Sequence, residues 1–119
     1  MVSMNNVQLI GKVTLEPRVK TLKSGSKVAE VGFGVPENRQ NEKGEWEGQM
    51  HFVDVVLWND QATFAEQRLK KGDTAIVQGM LQFEQWQSKD GGKRNKLKVK
   101  GLRIQAIPTE KATTASPRT

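Results

Sequence analysis

Hydrophobic and polar positions alternate most cleanly over His51-Phe52-Val53-Asp54-Val55-Val56-Leu57-Trp58. β-branched and aromatic residues in that rhythm predict a strand. Successive side chains of a strand point to opposite faces, so Val53, Val55 and Leu57 share one side and read as core. Phe52, Asp54, Val56 and Trp58 share the other, which puts two rings around a carboxylate. That face resembles a platform at the edge of water; a dimer interface or a second core layer is the competing reading.

The rest of the chain yields similar segments. Val7 to Val13 predicts a first strand with a bulge or bend at Gly11, broken at Glu16-Pro17-Arg18 and resumed over Val19-Lys20-Thr21-Leu22. After a turn at Lys23-Ser24-Gly25-Ser26, Ala29, Val31, Phe33 and Val35 face one way, and Glu30, Gly32 and Gly34 the other. Two glycines on one face admit close approach by a ligand or a neighbouring strand, and sharp barrel curvature explains them as well. Pro36 to Gln49 reads as a long polar connection carrying Trp46, a length usual for functional or disordered loops. Glu45 and Glu47 would repel phosphate, which favours Trp46 as a cap on the barrel over a lid on a bound strand.

Asn59-Asp60 predicts a helix start, with Ala62, Ala65 and Leu69 inward, Phe64 nearby, and Gly72 as the stop after Lys70-Lys71. This helix is expected to plug one end of a barrel. Thr74 to Phe83 predicts a strand with Ala75, Val77, Gly79, Leu81 and Phe83 on one face; Ile76, Met80 and, further on, Trp86 have the other parity. Ser88-Lys89-Asp90-Gly91-Gly92 has hairpin chemistry. In the last strand Lys96, Lys98 and Lys100 alternate with Leu97 and Val99, then the phase slips at Gly101, which predicts a β-bulge. The fold expected is all-β, a five-stranded OB-fold barrel with one short helix between strands 3 and 4 and extended hairpin loops. It occupies residues 4–107, with a short disordered tail over 108–119. Such barrels bind oligonucleotides and oligosaccharides.

Charge narrows the choice of ligand. The net charge is +6 and the pI about 9.8, which favours an anionic partner, nucleic acid first. With no Tyr, the three Trp and four Phe supply nearly all stacking capacity. With no Cys and only His51, thiolate metal sites and catalytic constellations have few ingredients, and no metal or cofactor is expected. Neither Gly-x-x-x-x-Gly-Lys nor Gly-x-Gly-x-x-Gly occurs, and no third group converges on Asp54 and Asp60, so an enzyme is not expected. No apolar run has membrane-spanning length, and the start lacks a secretory pattern. A cytoplasmic location is expected, or an organelle's soluble phase if a transit segment was removed beforehand.

Trp86 lies beside the glycine-rich turn and before Lys93-Arg94, so an indole and cations share one hairpin. An ordinary half-buried strand residue is the plainer reading of Trp86, and the lysine stripe also fits a solvated edge that blocks strand addition. Phe52, Trp58 and Trp86 are the candidate stacking rings. Arg18, Lys20, Arg39, Lys43, Lys70, Lys71, Lys93, Arg94 and Lys96 are candidates for a phosphate path. A protein-interaction module, or an RNA or oligosaccharide binder on the same barrel, are the readings from other classes.

Three motifs carry a resemblance. They are Met4-Asn5-Asn6-Val7-Gln8-Leu9-Ile10-Gly11 followed by Pro17; His51 to Trp58; and Leu69-Lys70-Lys71-Gly72-Asp73 leading into Val77-Gln78-Gly79-Met80-Leu81. Together they resemble the bacterial-type single-stranded DNA-binding proteins over about residues 4–107. The resemblance implies sequence-independent binding and protection of single-stranded DNA in replication, recombination and repair. It also implies a homotetramer, with a homodimer second, and stacking on Phe52, Trp58 and Trp86. Arg39 stands where the family has a further stacking tryptophan. Asn6, Asp60, Gln82, Glu84 and Gln85 stand where it is often basic, which implies weaker binding or a shorter wrap. The chain stops at Ser116-Pro117-Arg118-Thr119 without the family's acidic tip: either the sequence is cut short or this is a paralogue that does not use the tail, and these residues offer tail-mediated partners no acidic cluster. A specialised paralogue is the variant of this reading.

Overall fold

β1 (Val7–Thr21), β2 (Lys27–Gln40), β3 (Trp46–Trp58), α1 (Asp60–Arg68), β4 (Thr74–Gln87) and β5 (Lys93–Ile107) follow in order in the computed structural model, which describes residues 1–108. The strands close a barrel in the order β1-β2-β3-β5-β4. This is the five-stranded OB architecture expected from the alternation pattern, with the helix between β3 and β4. Residues 109–119, most of the expected tail, lie outside the described residues. Among the described residues no helix is long and apolar enough to cross a membrane.

Closure depends on β1, which pairs with β4 through Val7–Lys12 and with β2 from Lys12 to Thr21. Serving both neighbours bends the strand, and two register shifts, between Val13 and Leu15 and between Leu15 and Arg18, absorb the bend. Pro17 sits inside the second shift, where a residue without an N–H costs no ladder bond. It therefore bends the strand instead of ending it. Gly11, expected as a bulge, pairs in register with Ala75. Its bareness serves another purpose: a Cβ there would collide with the carbonyl of Gly34. Gly32 and Gly34 in turn lie under Leu15 and Met50, so the chain's own side chains fill that space.

The core is the inward parity of every strand: Val13, Ala29, Val31, Phe33, Val55, Leu57, Ala75, Val77, Val99 and Ile104. Ala62, Ala65 and Leu69 of the helix segment join it, with Phe64 packed against it. At the predicted slip, Gly79 stands opposite Gly101 and Gln78 opposite Arg103, leaving Leu102 as the extra residue of a bulge in β5. Asn59 precedes the helix with φ 51° but makes no side-chain cap. Its Oδ1 instead accepts the Lys27 N–H at 3.1 Å, and its own N–H donates to the Lys27 carbonyl at 2.7 Å. The helix start is thereby tied to β2 directly behind Trp58.

Residues 36–49 form no loose loop. β2 and β3 stay paired without a break from Val28↔Trp58 to Gln40↔Trp46, so this segment is a two-stranded arm. β4 and β5 form a second arm, paired out to Gln87↔Lys93. Three hairpins close with one turn design. Gly25, Gly44 and Gly91, each at positive φ, donate their N–H to Leu22, Asn41 and Ser88. Glycine in the left-handed position of such short loops matches the strand twist.

Candidate nucleic-acid interface

Directly paired residues share a face, so the ladder shows what surrounds each ring. Trp58 lies opposite Val28, which lies opposite Lys20; Val56 lies opposite Glu30, which lies opposite Arg18. Phe52 lies opposite Gly34, with Met50 folded over that glycine. Relative exposure is 72% for Phe52, 39% for Trp58 and 46% for Trp86, so none of the three rings is sealed in the core. The platform parity expected for Phe52, Asp54, Val56 and Trp58 is the barrel's outer face.

A groove of about 620 Å³ runs beside this face. Arg18, Lys20, Trp58, Phe83 and Lys98 line it, together with Glu30 and Glu84. Its cations are mostly engaged. Arg18 donates to Glu30 at 2.6 Å, and Lys98 reaches Glu30 at 3.2 Å and Glu84 at 2.9 Å. Lys98 is only 13% exposed in its side chain, so it is not a solvated edge residue. The Glu84 hydrogen bond, then Glu30, raises its pKa against the opposing cost of desolvation. Lys96 pairs with Asp54, the carboxylate between the two rings, so the β4–β5 arm neutralises the one acid on the platform.

The remaining predicted cations scatter. Arg94 is the cross-strand partner of Trp86, which sets guanidinium and indole side by side, and it lies 3.7 Å from Asp90. Hydrogen bonds from Ser88 and the Gly92 N–H hold the Asp90 carboxyl below its usual range. Lys93 is exposed at the end of the same arm. Arg39 pairs across the first arm with Glu47, and Lys43 sits in its turn, where its N–H donates to Asn41 Oδ1 at 2.9 Å. Lys70 and Lys71 lie in the turn that bonds back to Val13, and neither lines the groove.

Two groove residues escaped the sequence reading. Phe83 had been placed on one face of its strand with Ala75, Val77, Gly79 and Leu81, but not in the site. The β1–β4 ladder ends at Val7↔Gly79, so beyond Gly79 the strand has lost its β1 neighbour and runs on paired with β5. Leu81 and Phe83 are therefore exposed on the arm. Asn5 marks that departure: its Nδ2 donates to the Leu81 carbonyl at 2.9 Å, and the Leu81 N–H donates to its Oδ1 at 2.7 Å. Lys98 had been placed in the stripe but not in the site. Trp46 is 70% exposed at the start of β3, so it does not cap the barrel.

A sequence profile of the single-strand binding protein family matches residues 4–107. The chain belongs to this family. It is 34% identical to a single-stranded DNA-binding protein of Deinococcus radiodurans over 98% of this chain and 42% of that protein. It is 36% identical to one from Thermus thermophilus over 97% of this chain and 41% of that protein. The chain thus spans about two fifths of the length of these relatives. Among solved structures, a deletion mutant of the Thermus aquaticus single-stranded DNA binding protein superposes with TM-score 0.76 at 27% identity, over 87% of this chain and 50% of that one. A Plasmodium falciparum SSB in complex with ssDNA superposes with TM-score 0.80 over 90% of this chain and 97% of that one; at 24% identity it supports the fold alone. Family membership agrees with the resemblance carried by the three motifs.

Proposed function

We propose that the chain binds and protects single-stranded DNA without sequence preference, as a binding protein and not a catalyst. Bases stack on Phe52, Trp58 and Trp86, and phosphates follow the cations beside them. The observation that carries this is the pair of exposed rings, Phe52 and Trp58, on the outer face of β3 next to a groove lined by Arg18, Lys20 and Lys98. Every base has a π-face, so stacking of this kind is indifferent to sequence. Lys20, Lys93 and Arg94 are the best placed of the predicted cations for phosphate; Lys70 and Lys71 are the least. Family membership adds the roles in replication, recombination and repair.

A homotetramer acting in the cytoplasm, on the nucleoid, is part of the same proposal. Leu81, Leu97 and Leu102 leave apolar surface on β4 and β5 that assembly would cover. Titrating the tryptophan fluorescence with oligo-dT tests the binding claim. It should quench at low salt and recover as salt rises, because phosphate contacts release counterions. No quench at low salt would end this reading. Light scattering of the same samples gives the oligomer number.

A further inference from the structure

The geometry points to Trp46 as an additional base-stacking position, with single-stranded DNA running out along one face of the β2–β3 arm. This deepens the proposed function and rests on it. β3 is one unbroken strand from Trp46 to Trp58, paired with β2 at thirteen successive positions without a register shift. Trp46, Phe52 and Trp58 are six residues apart in turn. An even separation along an unbroken strand keeps all three side chains on one face. Six residues rise about 20 Å, so the rings stand at roughly 20 Å intervals, on the order of six nucleotides at stacked-strand rise.

The two faces of the arm differ in charge. On the Trp46 side the ladder places Gln40 opposite Trp46, Asn38 opposite Gly48, Pro36 opposite Met50 and Gly34 opposite Phe52. None of these residues is ionisable. On the other side lie Arg39 with Glu47 and Glu37 with Gln49, and His51 Nε2 sits 2.6 Å from Glu37. Glu45 and Glu47, the residues next to Trp46 in sequence, have the opposite parity, and Glu45 Oε1 accepts from Asn41 Nδ2 at 3.2 Å. The acids that flank Trp46 in sequence therefore face away from it. The neutral face continues the Phe52 face directly, and the tight turn from Asn41 to Glu45 fixes where the indole emerges. An exposed ring on an uncharged extension of a stacking face suits an unpaired nucleotide strand.

The test measures anisotropy of labelled oligo-dT with wild type, Trp46→Ala, Trp46→Phe, Phe52→Ala and Gln49→Ala. Trp46→Ala should weaken binding of a long oligomer about fivefold, the lower end of what one stacked base contributes. Trp46→Phe should restore most of this, and Gln49→Ala, on the opposite face, should bind as wild type. An oligomer too short to reach past Phe52 should not distinguish Trp46→Ala from wild type. If Phe52→Ala weakens binding and Trp46→Ala does not, the arm-tip site is overturned while the stacking face survives. If Phe52→Ala also binds as wild type, the stacking reading falls and takes this inference with it. Trp46 is exposed and distant from the core, so its replacement leaves the barrel folded.

Discussion

The two arms end in the same turn and carry a tryptophan near the tip, yet they are held in opposite ways. The β2–β3 arm has an uncharged face towards the rings and is aimed by its own backbone ladder alone. The β4–β5 arm puts charge on the Trp86 face and is stapled to the barrel by Lys96 to Asp54 and by Lys98 to Glu30. A ladder of backbone hydrogen bonds is indifferent to salt, whereas the more exposed Lys96–Asp54 pair is screened and the largely buried Lys98–Glu30 pair much less so. On the proposed function, one arm is thus a fixed extension of the platform, and the other a clamp held in part by a pair that salt weakens.

The largest expected effect is on the platform that both arms flank. Phe52→Ala combined with Trp58→Ala should weaken oligo-dT binding by about 2–6 kcal/mol, the sum of two stacked bases, in an anisotropy titration at low salt. A smaller loss would mean that the arms, not the barrel, hold the DNA. Trp86→Ala comes next, at about 1–3 kcal/mol, with a cost that shrinks as salt rises. The cost of Phe52→Ala should stay constant over the same salt series. Equal salt sensitivity of the two variants would show that the staples do not set the clamp.

A subtler variant separates stapling from repulsion. Asp54→Asn removes the only acid between the rings and releases Lys96 for phosphate. Its plot of log affinity against log salt should steepen by about 0.7, the release expected from one more contact with a single strand. Lys20→Gln should flatten the plot by a similar amount, since Lys20 has no ion pair among the described residues to lose. An unchanged slope for Asp54→Asn would mean that Lys96 already reaches DNA in the wild type.

The barrel was legible because parity is a strong signal where one face is buried. Val53, Val55 and Leu57 against Phe52 and Trp58 fixed both the core and the platform, and the slip at Gly101 gave the bulge. The arms were not legible for the same reason: outside the barrel neither face of a ribbon is buried, so polar residues 36–49 read as loop, and parity alone did not separate Leu81 and Phe83 from the inward-facing Ala75 and Val77. Strand length was the missed clue, since fourteen residues exceed what a small barrel can pair on both sides. Pro17 misled through a correct rule, because a missing N–H interrupts a ladder except at a bulge. The ion pairs joining the second arm to the barrel link Lys96 and Lys98 to acids far away in sequence, which no local pattern records.

The smallest predicted effect tests the staple itself. Lys98 gains its two carboxylate partners only on folding, and its folded pKa is raised above the ordinary lysine value of 10.5. A raised pKa in the folded state adds stability in full below the unfolded pKa and loses it as pH rises through the folded one. Lys98→Met should therefore cost about 1 kcal/mol in urea unfolding near neutral pH. The gap between wild type and variant should close only in the alkaline range above that value. Comparing the two proteins at each pH cancels the titration of the other lysines. A gap that persists at high pH would assign the contribution of Lys98 to the packing of its methylene stem, and the clamp would then be held by contact and not by charge.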